Sequence, residues 1–320
     1  MTDVHDRLRR LRAPAFAAPM FLISTPELVI ATSRAGIVGT FPAPNLRTSE
    51  ELGGWMSRVN AGLAEPTSSD WPVAPWALNV VTHSTNPRLP GDLEQIAKHR
   101  PPIVITALGS PKPVVSTVHG YGGLVFADVI TENLARKAAG AGVDGLVLVC
   151  SGAGGHTGEL SPMVFVERVR RFFDGYIVLG GGICSGDGIL AARALGADFA
   201  YIGTSFIAAE EGMAESDYRQ MVVECDASDL MVTRAFTGAR ASMLKPSMVR
   251  QGLDPGELEF KVAKMNFTGL KDQEIKPWKG IWGAGQGVGR VERVEPAAAI
   301  VARFAGEYDA ARARMREICA

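Results

Sequence analysis

The 320-residue chain is 47% hydrophobic and 21% charged, with a formal net charge of −1, a composition that supports a substantial core. Its one basic run, Arg7 to Arg12, gives little reason to expect nucleic acid or an anionic membrane as partner, and reads as the exposed face of an N-terminal helix. Cys150, Cys184, Cys225 and Cys319 form no CxxC pair, which argues against a zinc site. Met1 to Ala13 is charged rather than apolar, and no apolar stretch approaches the roughly eighteen residues needed to cross a bilayer. The expectation is a reduced, cytoplasmic protein.

Short apolar runs alternate with helical segments along the chain. Phe16 to Met20 is the first run. Thr25 then reads as an N-cap, Pro26 as the first helical position and Gly36 as the closing residue of a helix. Ile37 to Phe41 is the second run, followed by a helix over Ser49 to Ala61. Trp76 to Val81, Ile103 to Ala107, Gly123 to Ala127, Gly145 to Val149, Tyr176 to Leu179 and Phe199 to Ile202 complete a set of eight strands. Helices are expected over Asp92 to Lys98, Thr131 to Gly140, Pro162 to Phe173 and Gly186 to Leu195. Strands alternating with helices imply a parallel sheet, and the number eight favours a (β/α)8 TIM barrel over a doubly wound open sheet. After the eighth strand the pattern changes. Ala208 to Lys279 offers helical stretches, Met213 to Val223 and roughly Gly256 to Lys264, without a βα unit. The expected organisation is a barrel from 1–207 plus 281–320, closed by a long helix over Pro296 to Cys319, with 208–280 as a helical cap.

The unusual residues gather after particular strands. Ser151-Gly-Ala-Gly-Gly155 delivers His156, the side chain here best able to trade a proton near neutrality. Leu179-Gly-Gly-Gly-Ile-Cys-Ser-Gly186 follows strand seven and Tyr201-Ile-Gly-Thr-Ser205 follows strand eight, the usual phosphate-binding loops of such a barrel, where backbone N–H groups and a helix N-terminus meet the anion. Absence of GxxxxGK[ST] argues against a nucleoside-triphosphate loop, and absence of GxGxxG after the first strand against a Rossmann site. Asn79 ends strand three, where its amide offers both a donor and an acceptor to a ring edge. Met20 reads as an apolar platform or as core. Lys112 and His119, after strand four, face the mouth or decorate a long loop. Cys150 and Cys184 read as small buried residues rather than nucleophiles.

These residues carry a resemblance. Ala18-Pro-Met20, Ala35-Gly36, Asn79, Ala153-Gly-Gly-His156, Gly181-Gly-Ile183, Gly203-Thr204 and Ala284-Gly-Gln-Gly287 occur in order and at suitable separations. Together they resemble the nitronate monooxygenase family, once called 2-nitropropane dioxygenases, from about residue 14 to the AGQG loop. The resemblance implies an FMN-dependent TIM barrel. FMN would be held by Met20, Asn79, Gly154, Gly181, Gly182, Tyr201, Ile202, Gly203 and Thr204, its phosphate on the backbone of Gly181, Gly182, Gly203 and Thr204. His156 would face the substrate, an alkyl nitronate or nitroalkane, with dioxygen as oxidant. No metal is implied, and a homodimer stays open. Tyr201 departs from the glutamine usual before the GT pair, Ser151-Gly152 replaces a longer polar turn, and the segment after strand four resembles a second branch of the family.

Two other readings compete. One is an FMN-dependent NAD(P)H:quinone or enoyl-thioester reductase on the same scaffold, since fold alone cannot separate such activities. The other is a non-enzymatic barrel that binds a phosphate-bearing ligand as a sensor or scaffold.

Overall fold

The computed structural model describes residues 3–263 and 279–320. Eight parallel strands form one sheet: β1 (Ala15–Ala17), β2 (Gly39–Pro42), β3 (Trp76–Val81), β4 (Ile103–Ala107), β5 (Leu124–Val129), β6 (Gly145–Val149), β8 (Tyr176–Gly180) and β9 (Phe199–Ile202). Between β6 and β8 the chain makes one further short strand, β7 (Gly155–His156), outside this sheet. The two ends of the sheet, β1 and β2, meet through a single parallel bridge between Phe16 and Val38, with Ala17 N donating to Val38 O (2.8 Å) and Val38 N to Ala15 O (3.0 Å). The sheet therefore closes as a TIM-type barrel, and the expected fold holds.

Local chemistry explains the helices around it. Thr25 accepts from Leu28 N, Pro26 opens the helix Pro26–Ala35, and Gly36 ends it at φ +101°, a left-handed conformation that glycine adopts without penalty. Thr48 and Glu51 form a capping box on Ser49–Ala64, satisfying two backbone donors that the helix leaves over. The segment after β4 is not a loop. It contains the helix Lys112–His119, with Pro113 tolerated in its first turn.

The core has two layers. Inside the barrel lie Phe16, Val38, Ala77, Ile103, Ile105, Phe126, Val147, Val178 and Phe199, all buried. Between strands and outer helices lie Phe41, Trp76, Leu78, Val104, Leu146, Leu148, Phe165 and Leu179. This alternation is the period-two pattern of a strand with two buried faces. The N-terminal helix Val4–Arg9 plugs the bottom with Leu8, which belongs to the inner layer. The basic run from Arg7 to Arg12 is not a uniformly solvated helix face: Arg7 donates to Ala74 O (3.1 Å), and Arg12, past the helix end, lies over the Trp71 ring (3.9 Å to its centroid).

Residues after β9 contain the helices Ser216–Glu224, Lys245–Arg250 and Pro255–Leu258, and also a hairpin of β10 (Leu230–Thr233) and β11 (Ala241–Leu244). The expected helix over Gly256 to Lys264 is described only to residue 263, and there it is confined to one turn; its last residue and the stretch 264–278 lie outside the described residues. The long closing helix runs Ala297–Ile318 and packs Ile300, Val301 and Phe304 against the barrel.

Candidate active site

His156 sits where the barrel meets the hairpin. β7 pairs antiparallel with β11, Ala241 opposite His156 and Ser242 opposite Gly155. The hairpin grips the same loop twice more: Thr157 N donates to Arg240 O (3.1 Å), and the His156 Nε2 lies 3.3 Å from Thr237 Oγ1. The imidazole keeps solvent-exposed surface, yet protein surrounds most of it, and this burial lowers its pKa below the ordinary histidine value. The neutral ring is therefore the resting form at pH 7, suited to accept a proton or to donate a neutral hydrogen bond.

The glycines of the mouth have different reasons to be glycine. A Cβ on Gly154 would come within 2.6 Å of Gly285 N, and one on Gly181 within 2.7 Å of Ser151 O. These two are required by loop-on-loop packing, tied by Gln286 N to Gly152 O (2.9 Å). Gly182 (φ +71°) would meet nothing nearer than Gln286 Cβ at 3.9 Å, and Gly203 nothing nearer than Ala18 Cβ at 3.7 Å, with Met20 Sδ at 4.0 Å. There the space above the backbone is open. Among the described residues, the N–H groups of Gly182, Ile183, Gly203 and Thr204 find no hydrogen-bond acceptor. Thr204 Oγ1 accepts from Gly285 N (2.9 Å) and retains its own proton to donate. Unpartnered backbone donors from two neighbouring loops fit a phosphate. The helix N-terminus expected to assist is partly engaged, because Gly186 N donates to the Glu307 carboxylate (2.8 Å).

Three polar side chains crown the inner layer. Asn79 on β3 is buried and donates through Nδ2 to Asp128 Oδ2 on β5 (3.1 Å). Tyr201 on β9 packs edge-on to Phe16 (ring centroids 6.4 Å apart). Among the described residues, Asp128 Oδ1 and the Tyr201 hydroxyl are buried without a partner. Burial raises the Asp128 pKa to about 7 against the opposing Asn79 hydrogen bond. Tyr201 is raised well above its ordinary value, first by burial and then by the Asp128 charge. Sequence reasoning passed over Asp128. Its signal was parity: within Leu124–Val129 it shares the inward face with Phe126.

The remaining expectations divide. Met20 is half-buried beside Gly203, packed against the layer between the barrel and its closing helix and against the buried cluster around Tyr218 and Trp282. Ile202 is buried and turns outward, its carbonyl accepting from Ala18 N (2.9 Å), so its side chain does not face the mouth. His119 ends its helix beside Asp144 (Nε2 to Oδ2, 2.8 Å), which precedes β6 at the opposite end of the barrel. It does not belong to the mouth. Lys112 opens the same helix and lines a surface groove with Ser110 and Lys137. Cys150 is buried, its thiol pushed up to about 12 by burial, as an inert core cysteine would be.

A family model described as nitronate monooxygenase matches residues 5–307. A nitronate monooxygenase of Paraburkholderia phytofirmans is 30% identical over 281 residues, 76% of this chain and 76% of that protein. A Mycobacterium tuberculosis protein provisionally named a monooxygenase is 30% identical over 220 residues, 64% of this chain and 59% of the relative, so the match spans less than two thirds of that protein. Among solved structures, nitroalkane oxidase from Streptomyces ansochromogenes aligns with a TM-score of 0.78 at 22% identity, over 96% of this chain and 99% of that one. At that identity the likeness concerns the fold.

Proposed function

The chain belongs to the nitronate monooxygenase family of oxidoreductases, and on that premise we propose that it binds FMN and oxidises alkyl nitronates with dioxygen to a carbonyl compound and nitrite. The observation that carries the reading is His156: an imidazole with solvent-exposed surface at the mouth, gripped by a hairpin in the loop that packs against the AGQG loop. Bound FMN would take electrons from the nitronate and pass them to dioxygen, chemistry for which side chains have no equivalent.

The chain's own residues supply binding and proton handling. The N–H groups of Gly182, Ile183, Gly203 and Thr204, with the Thr204 hydroxyl, would hold the phosphate. Asn79, Tyr201 and Met20 would border the ring system, Ile202 contributing backbone only. Gly154 and Gly181 would shape the loops rather than touch the ligand. His156 would orient the nitronate oxygens by hydrogen bonding. With a neutral nitroalkane, the imidazole would take the α-proton, the C–H electron pair passing into the nitronate. Of the expected cap 208–280, we take the described residues 208–263 as the part that covers the mouth and shapes the substrate pocket.

Anaerobic mixing of the FMN-loaded protein with an alkyl nitronate, and separately with NADH and NADPH, tests the reading. A prompt change in the flavin spectrum with nitronate alone is expected. Rapid bleaching by a reduced pyridine nucleotide with nitronate inert would assign the chain to the reductases, and a protein that takes up no FMN would remove the flavin altogether.

A further inference from the structure

Asp128 is the only charged residue carried by the eight barrel strands. Its register puts it opposite Val147, in a row that continues through Val178 to Phe199, all inner-layer residues. The aromatic rings of Phe16, Phe126, Tyr176 and Phe199 pack together within the same inner layer, so the carboxyl rests on a dry bed. Asn79 engages one oxygen, while the other, and the hydroxyl of Tyr201, have no partner among the described residues. Two buried oxygens left unsatisfied in one polar crown call for an explanation beyond packing. A charged residue among apolar strands is costly, and a ligand carrying donors and acceptors in the mouth accounts for both.

We propose that Asp128 is the proton-holding residue of the site: its carboxyl hydrogen-bonds the polar ring system bound in the mouth, takes one proton from solvent when that ring system gains negative charge, and releases it when the charge leaves. The proposal rests on the flavin reading above, with the electrons coming from the nitronate. Asn79 holds the carboxyl in place and Tyr201 is the neighbouring hydroxyl across the barrel. Among the described residues, the groups facing Asp128 on the inner side are these two, with no cation; β4, β6 and β8 present apolar side chains there. Lys112 and Lys137 line the groove that Asp128 also borders, but the influences on the carboxyl are burial and the Asn79 hydrogen bond, not either lysine. Burial sets the carboxyl's affinity for a proton near neutrality, where a modest change of nearby charge shifts its protonation.

The test is the midpoint potential of the bound FMN between pH 5.5 and 8.5 in wild type, Asp128→Asn and Tyr201→Phe. Wild type is expected to take up one more proton per two electrons than Asp128→Asn at pH values just above 7. Tyr201→Phe should keep that proton, its onset shifted along the pH axis. An unchanged pH profile in Asp128→Asn overturns the proposal, as does loss of the extra proton in Tyr201→Phe, which would move the role to the phenol. Asp128→Ser serves where the asparagine variant does not fold, with the same expected loss. A wild-type protein that binds no FMN defeats the underlying reading and this inference with it. FMN bound with an unchanged Asp128→Asn profile defeats the inference alone.

Discussion

At the scale of single residues, His156 and the mouth glycines make separable demands. If the neutral imidazole is a base, His156→Ala should lower turnover of a neutral nitroalkane by about 10²–10⁴-fold, and turnover of the pre-ionised nitronate by less than about tenfold. Steady-state kinetics on both substrates measures this, and equal losses would remove the base assignment. Gly203→Ala places a methyl in open space at a φ of −107°, so its melting temperature should match wild type while FMN affinity falls by about tenfold or more. Gly154→Ala drives a methyl onto Gly285 and should cost about 1–3 kcal/mol of stability. Thermal melts beside FMN titrations separate the two. The glycine loops and His156 were legible because side-chain-free runs after strands have few other uses. Asp128 was not: its meaning comes from Asn79, a residue forty-nine positions away that only the parallel pairing of β3, β4 and β5 brings alongside.

At the scale of elements, the piece that organises the mouth is the hairpin of β10 and β11. By pairing β11 with β7 it turns a glycine-rich loop, costly to order, into the edge of a three-stranded sheet. Thr237, in the connection between the two strands, reaches both Ala239 O (3.4 Å) and the His156 ring. Thr237→Val keeps the shape and deletes the hydroxyl. Nitroalkane turnover should fall by about three- to tenfold, the value of one modest hydrogen bond, with a shift in the acidic limb of the kcat/KM pH profile. Thr237→Ser should restore both. A profile that stays fixed in Thr237→Val would show that the hydroxyl only stabilises the turn. The strand Trp76–Val81 and the helix opened by Thr25 and Pro26 were readable because their signals are local, a β-branched run and a capping pattern. The helix Lys112–His119 was hidden by the prolines at 111 and 113, which read equally well as a loop. The hairpin was hidden because part of what stabilises it is β7, which lies about eighty residues upstream.

At the scale of the whole molecule, the same groups leave a signature in stability against pH. Asp128 has a folded pKa raised to about 7 from 3.8, so between those values the folded state holds a proton that the unfolded chain has lost. Its contribution is fully present below pH 3.8 and disappears as pH climbs through 7. His99 and His156 act in the opposite sense: burial lowers both, so the unfolded chain binds protons more readily, and their contribution is lost as pH falls below 6.5. Below pH 6.5 the two trends oppose, and they partly offset each other in the wild-type profile. Asp128→Asn removes one of them. Its stability relative to wild type should rise steadily from pH 4 to 7 and level off above. The full span is on the order of 2–4 kcal/mol, the lower end reflecting the partial opening of Asp128 to the mouth. Urea unfolding across pH 4 to 8 measures that difference directly. A constant offset between the two proteins would mean that the carboxyl stays ionised in the folded barrel throughout. In that case its missing partner is a permanent donor to the anion, and the mouth would be built around a fixed negative charge instead of an exchangeable proton.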